Sequence, residues 1–170
     1  MKLVQKEYES EQVPFIMRYN SKTVAGVLLF IGSVQCLLGL IVAESLYPNY
    51  SVSENCISDL GVGSNSLIFN SSVFLLGLFL ITSAYLTQRA FGFSLLSAIL
   101  IITGVGAMGV GVFPETVATA HYLASLIVFL FGALSTILSY RFVKPPFSYF
   151  AVLLASCRSW RLLSLVPISI

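Results

Sequence analysis

Four stretches of this chain, residues 23–43, 67–87, 93–113 and 117–140, contain no Asp, Glu, Lys or Arg. Each is close to the roughly 20 helical residues needed to cross a hydrocarbon core. Inside lipid a backbone must satisfy its own N–H and C=O groups, which leaves only helices and closed barrels. The runs are continuously apolar and lack the alternation of a barrel strand, so helices are the expected form. Composition agrees. The 170 residues are 57% hydrophobic and 9% charged, with a mean hydropathy of +0.93, too little polar matter to clothe a soluble domain of this length. The reading is an all-α integral membrane protein built on a four-transmembrane-helix bundle.

The basic residues give the bundle a direction. Lys2, Lys6, Arg18 and Lys22 precede the first run, Arg89 lies between the second and third, and Arg141 and Lys144 follow the fourth. Segments 44–66 and 114–116 hold no Lys or Arg. By the excess of Lys and Arg on the cytoplasmic side, residues 1–22 form a cytoplasmic segment, and residues 23–146 the membrane domain. Loop 44–66 then faces outward, with the plasma membrane as the expected location. The opening segment lacks the apolar stretch and cleavage site of a signal peptide.

Residues 147–170 behave differently. A full span there would carry Arg158 and Arg161 near mid-bilayer, at about 2.5–3.5 kcal/mol each. An interfacial or incomplete fifth membrane helix is the expected form, its arginines reaching headgroups. A net charge of +2, spread along membrane flanks, argues against nucleic acid as a partner. Membrane lipids, a second copy or partner helices are the partners to expect.

Membrane helices associate where small residues let backbones approach. The first run carries Ala25, Gly32, Cys36, Gly39 and Ala43 on one face; the second aligns Asn70, Gly77 and Ala84. The third has Thr103, Ala107 and Gly111 on one side and Gly106 and Gly109 on another, the pattern of a helix between two neighbours. On the fourth, His121, Ser125, Gly132, Ser135 and Ser139 share a face.

The polar insert SVSENCISDLGVGSNSLIFN, residues 51–70, sits on the predicted outer side. Ser51 and Glu54 fit a capping box opening a short helix that Gly61 would stop. Val52, Cys56 and Leu60 would form its apolar edge, with Glu54 and Ser58 on one side and Asn55 and Asp59 on another. Ser64 or Asn65 would then cap the second span. Asn49-Tyr50-Ser51 is a glycosylation sequon, and Tyr47, Tyr50, Tyr140 and Trp160 suit an interfacial belt.

Of seven acidic residues, Glu44, Glu54, Asp59 and Glu115 all fall on the outer side. VFPE makes a tight turn into the fourth span, with His121 just below it, so Glu54, Asp59, Glu115 and His121 are candidates to converge on one outer pocket. An imidazole among carboxylates suits acid–base work, as in a membrane-embedded hydrolase or lipid-modifying enzyme. Ser58, Asp59, Asn70, Glu115 and His121 are equally the candidate contacts for a ligand or lipid headgroup, and a purely structural hydrogen-bond cap is the reading favoured over either chemistry. A small oligomeric transporter is a third reading. With His121 the chain's one histidine, a three-histidine zinc site within the chain is excluded. No cofactor fingerprint stands out, and no metal site is expected.

SENCISDLG, the IFN triplet at 68–70, GVFPE at 111–115 and the following His121 together resemble the uncharacterised polytopic membrane-protein family catalogued as domain of unknown function 998 (DUF998). The resemblance runs across about residues 23–140 and implies a membrane fold with no established reaction. It would carry Ser58, Asp59, Gly61, Asn70, Pro114 and His121 as family features. Members look as though they have about six spans. Here SCRSWRLLSLVPISI breaks the fifth and leaves no room for a sixth, so measured against the family the tail reads as truncated or frame-shifted.

Overall fold

A computed structural model describes residues 20–140 of the chain. The expectations for residues 1–19 and for the fifth segment at 147–170 lie outside the described residues. Four long helices carry the fold: α1 (Ser21–Leu46), α2 (Ser66–Phe91), α3 (Ser94–Val112) and α4 (Ala118–Ser139), with a 3-10 helix (Ile57–Gly61) between α1 and α2. They run for 26, 26, 19 and 22 residues, and all four are long and apolar enough to cross a membrane. At 1.5 Å per residue even α3 reaches about 28 Å, close to the hydrocarbon thickness. The chain is thus built as a multi-pass membrane protein. The helices begin and end within a few residues of the expected limits.

Each boundary has a local cause. Asn20 caps α1, its side chain accepting from the Lys22 amide at 3.0 Å. Gly92 ends α2 in the left-handed region at φ 64°, its N–H donating to the Gln88 carbonyl. Only glycine adopts that conformation without strain, and α3 starts two residues later. Phe113 and Pro114 close α3, and the Val117 amide returns to the Pro114 carbonyl at 2.8 Å to open α4.

The bundle is laid out in chain order: α1 packs on α2, α2 on α3 and α3 on α4, each pair antiparallel. Small residues make these contacts, as lipid requires. A Cβ built on Gly32 would lie 2.7 Å from Phe79 Cβ, and one on Gly39 would collide with Ser72, so both glycines admit α2. Gly77 and Gly104 lie back to back between α2 and α3, where Ala84 and Ala107 are fully buried. Gly106 and Gly109 turn the other way, onto Ile127, Val128 and Ala124 of α4. The two-sided glycine pattern of α3 does mean two neighbours, and α3 carries eight buried residues against three on α1 and two on α4.

The fourth stripe is displaced from its expected line. The buried positions of α4 are Ala124 and Ala133, while Ser135 and Ser139 donate to carbonyls of their own helix. Hydroxyls that bond back to the preceding turn need no partner helix. Polar side chains tie α1 to α2 instead: Gln35 Nε2 donates to the Ser72 carbonyl at 2.9 Å, and buried Ser83 Oγ to the Ala25 carbonyl at 3.3 Å.

Candidate functional site

At one end of the bundle α1 stops, the chain folds over it, and α3 turns into α4. Four acidic side chains gather there, Glu44, Glu54, Asp59 and Glu115, whereas Lys22 and Arg89 stand at the opposite end. Each of those cations rests on an aromatic ring: Lys22 Nζ lies 4.9 Å from the Phe91 centroid and Arg89 lies 5.8 Å from that of Tyr85. Charge is therefore separated along the helix axes among the described residues.

The cap is built differently from the expected helix. No capping box joins Ser51 to Glu54. The amides of Glu54 and Asn55 both donate to the Ser51 carbonyl, at 3.0 and 2.8 Å, while Ser51 N donates to Asn55 Oδ1. The Ser51 hydroxyl pairs with that of Ser53 at 2.8 Å. Helix begins only at Ile57, with Asp59 reaching back to accept from the Cys56 amide at 3.0 Å. Because 51–56 is a turn, the expected apolar edge does not form: Leu60 is 2% exposed, but Val52 is 79% exposed and Cys56 faces solvent. Short polar side chains that bond their own backbone favour turns over helix, and here they prevail.

Leu60 plugs the cap into the bundle, packed with Ala43 and Phe69 and flanked by Tyr47 and Tyr50. Those two tyrosines meet edge to face at 5.8 Å, so their rings brace the cap as well as suiting an interface. Gly61 ends the 3-10 helix against α2, where Asn70 Nδ2 donates to its carbonyl at 3.1 Å. The other amide atom, Asn70 Oδ1, is buried without a partner. Asn65 does not cap its own helix; its Nδ2 donates to the Leu46 carbonyl at 2.7 Å, tying the end of α1 to the start of α2.

Asp59 is the best-connected acid. Its Oδ2 accepts from Asn55 Nδ2 at 3.1 Å and from the Cys56 amide at 3.0 Å. The Asn55 bond first, then the Cys56 amide, hold this carboxyl below its ordinary range against the opposing effect of desolvation. Burial foremost, then the charges of Glu44 and Asp59, push the Tyr50 phenol up.

The remaining candidates separate. Glu54 is exposed, and Ser58 is half-buried beside Asp59. His121 Nδ1 lies 2.7 Å from the Phe113 carbonyl. A carbonyl only accepts, so Nδ1 carries the proton of that bond. Among the described residues no hydrogen bond or ion pair joins His121 to Asp59 or Glu115; the imidazole braces the turn that carries Glu115. No group of three or more His, Cys, Asp or Glu suited to a metal occurs among the described residues. Asn55, the partner of Asp59, was legible four residues before it, whereas nothing in the sequence singled out the Phe113 carbonyl as the partner of His121.

Neither a curated protein nor a solved structure matches this chain. The profile of the family described as protein of unknown function (DUF998) matches residues 30–168, spanning all three motif segments, His121 and most of the tail. The chain belongs to the DUF998 family.

Proposed function

We propose that this membrane protein is a binding protein whose outer cap takes the cationic part of a ligand, in the first instance the ammonium of a lipid headgroup. The observation that carries this reading is the placement of Glu44, Glu54, Asp59 and Glu115 at one end of the bundle, where no Lys or Arg stands among the described residues. Clustered charge of one sign beside an apolar surface concentrates the opposite sign. The cap closes over the end of α1, with half-buried Ser58 next to Asp59 in the chain, and Asn70 anchors it through the Gly61 carbonyl. In this reading the N-terminus is cytoplasmic and the cap faces outward from the plasma membrane, with Lys22 and Arg89 at the inner leaflet.

Native mass spectrometry from nanodiscs of defined composition tests it. Phosphatidylethanolamine should be retained in preference to phosphatidylglycerol, and Asp59→Asn combined with Glu115→Gln should abolish the preference. Equal retention of the two lipids by the unaltered chain would remove the reading.

A further inference from the structure

The cap is a strap hung between two chain reversals. Asn49 at φ 57° and Gly63 at φ 96° are the two residues between α1 and α2 with positive φ. Both are exposed, and a Cβ on Gly63 would meet nothing within 4 Å. Just outside them, the Asn65 Nδ2 bond to the Leu46 carbonyl ties the feet of the strap together at 2.7 Å. A compact loop with clamped feet and an unpacked turn at each end has the build of a hinged element.

Between the turns the strap is bonded to itself. Ser51 N donates to Asn55 Oδ1, and Asn55 Nδ2 and the Cys56 amide both donate to Asp59 Oδ2, so residues 51–59 hold one another in shape. The seat on α1 and α2 is made at the next two residues. Leu60 plugs in beside Ala43 and Phe69, and the Gly61 carbonyl accepts from Asn70 Nδ2 at 3.1 Å. Gly61 is not in the left-handed region, so close approach is what requires it. A Cβ there would lie 2.8 Å from Asn70 Oδ1 and 3.3 Å from the Phe69 ring, and would push the amide out of its bond. That same Oδ1 is buried without a partner. Opening gives it water, which offsets part of the bond lost, so the contact is a weak catch.

We infer that residues 50–62 form a lid that swings as one body about Asn49 and Gly63, with Leu60 as its plug and the Gly61–Asn70 contact as its catch. Shut, it covers Ala43 and Phe69, and Tyr50 rests on Tyr47. Raised, it opens that apolar seat to water, with the Asn70 amide at its edge. The lid stands apart from the headgroup reading, because Leu60, Gly61 and Asn70 fasten it and no carboxylate does.

Spin labels on Ile57→Cys and Val117→Cys, both exposed positions, read the lid against the bundle in nanodiscs, with Cys36→Ser, Cys56→Ser and Cys157→Ser. Leu60→Ala should raise a second, separated distance about thirtyfold or more relative to the shut one, the effect of emptying a leucine seat. Gly61→Ala should raise it as well, and should add nothing once Asn70→Ala has removed the oxygen it strikes. A second pair, Val52→Cys with Ile57→Cys, lies inside the lid and should keep one distance in every variant. An Ile57–Val117 distance that stays single in both Leu60→Ala and Gly61→Ala would overturn the lid. So would a Val52–Ile57 distance that broadens with them, since the strap would then be unravelling. Gly61→Ala acting equally with and without Asn70 would overturn the catch.

Discussion

Adding one methyl group at Gly77 should weaken the bundle, while the same change at Gly26 should not. A Cβ on Gly77 would lie 2.6 Å from Met108 Cγ and 2.9 Å from Met108 N, and it would press on the Gly104 carbonyl. Carbon contacts settle at about 3.5–4.0 Å, so about 1 Å must be found. The Met108 side chain can swing aside; its amide and the Gly104 carbonyl cannot, so α2 and α3 must part. That loosens Ala84 and Ala107, now 0% exposed, and overpacking of this kind costs about 1–3 kcal/mol. Lipid adds no hydrophobic force to recover the contact.

A Cβ on Gly26 meets nothing within 4 Å. Both variants gain the helix preference of Ala over Gly, about 1 kcal/mol in water, so that term cancels when they are compared. Gly77→Ala should therefore be less stable than Gly26→Ala by about 1–3 kcal/mol. Reversible unfolding from mild-detergent micelles by added dodecyl sulfate, followed by circular dichroism, measures the difference. Equal stabilities would refute the account of α2–α3 packing.

Asn70→Ala removes the donor to the Gly61 carbonyl, a bond worth about 0.5–1.5 kcal/mol. Hydrogen exchange at residues 60–62 should quicken while exchange in α3 stays as it was; unchanged exchange at the cap would remove Asn70 from its anchoring. Exposed Cys56 should react with a membrane-impermeant maleimide added to intact cells when Cys36 and Cys157 are replaced by Ser. Labelling only after the membrane is opened would place the cap on the inner side and reverse the orientation.

Much of the candidate site was open to reading because polar residues close in sequence are close in space. Asn55 and Asp59 were placed on one side of a short helix, and the structure joins them at 3.1 Å although residues 51–56 form a turn. The capping box was the wrong local choice: Ser51, Ser53 and Asn55 can all bond nearby backbone, and residue type alone does not rank those arrangements. His121 was placed near the turn, but which acceptor it would take depended on the path of the chain between Phe113 and α4.

The sequence by itself determined the membrane class, the four helices and their approximate ends. Those follow from an intrinsic property, the cost of exposing polar backbone and charge to hydrocarbon, which any apolar run of this length must meet. It also determined that α3 lies between neighbours, because glycines on two faces serve no purpose on a helix with one partner. Only the tertiary structure decided that the helices pack in chain order, that α4 buries Ala124 and Ala133 in place of its serines, and that Asn70 finds the Gly61 carbonyl while His121 finds that of Phe113. The physical reason is one of range. Burial preference is written residue by residue, but a bond between a loop and a helix, or between a side chain and a turn, depends on the rotation and depth of the helices that carry them.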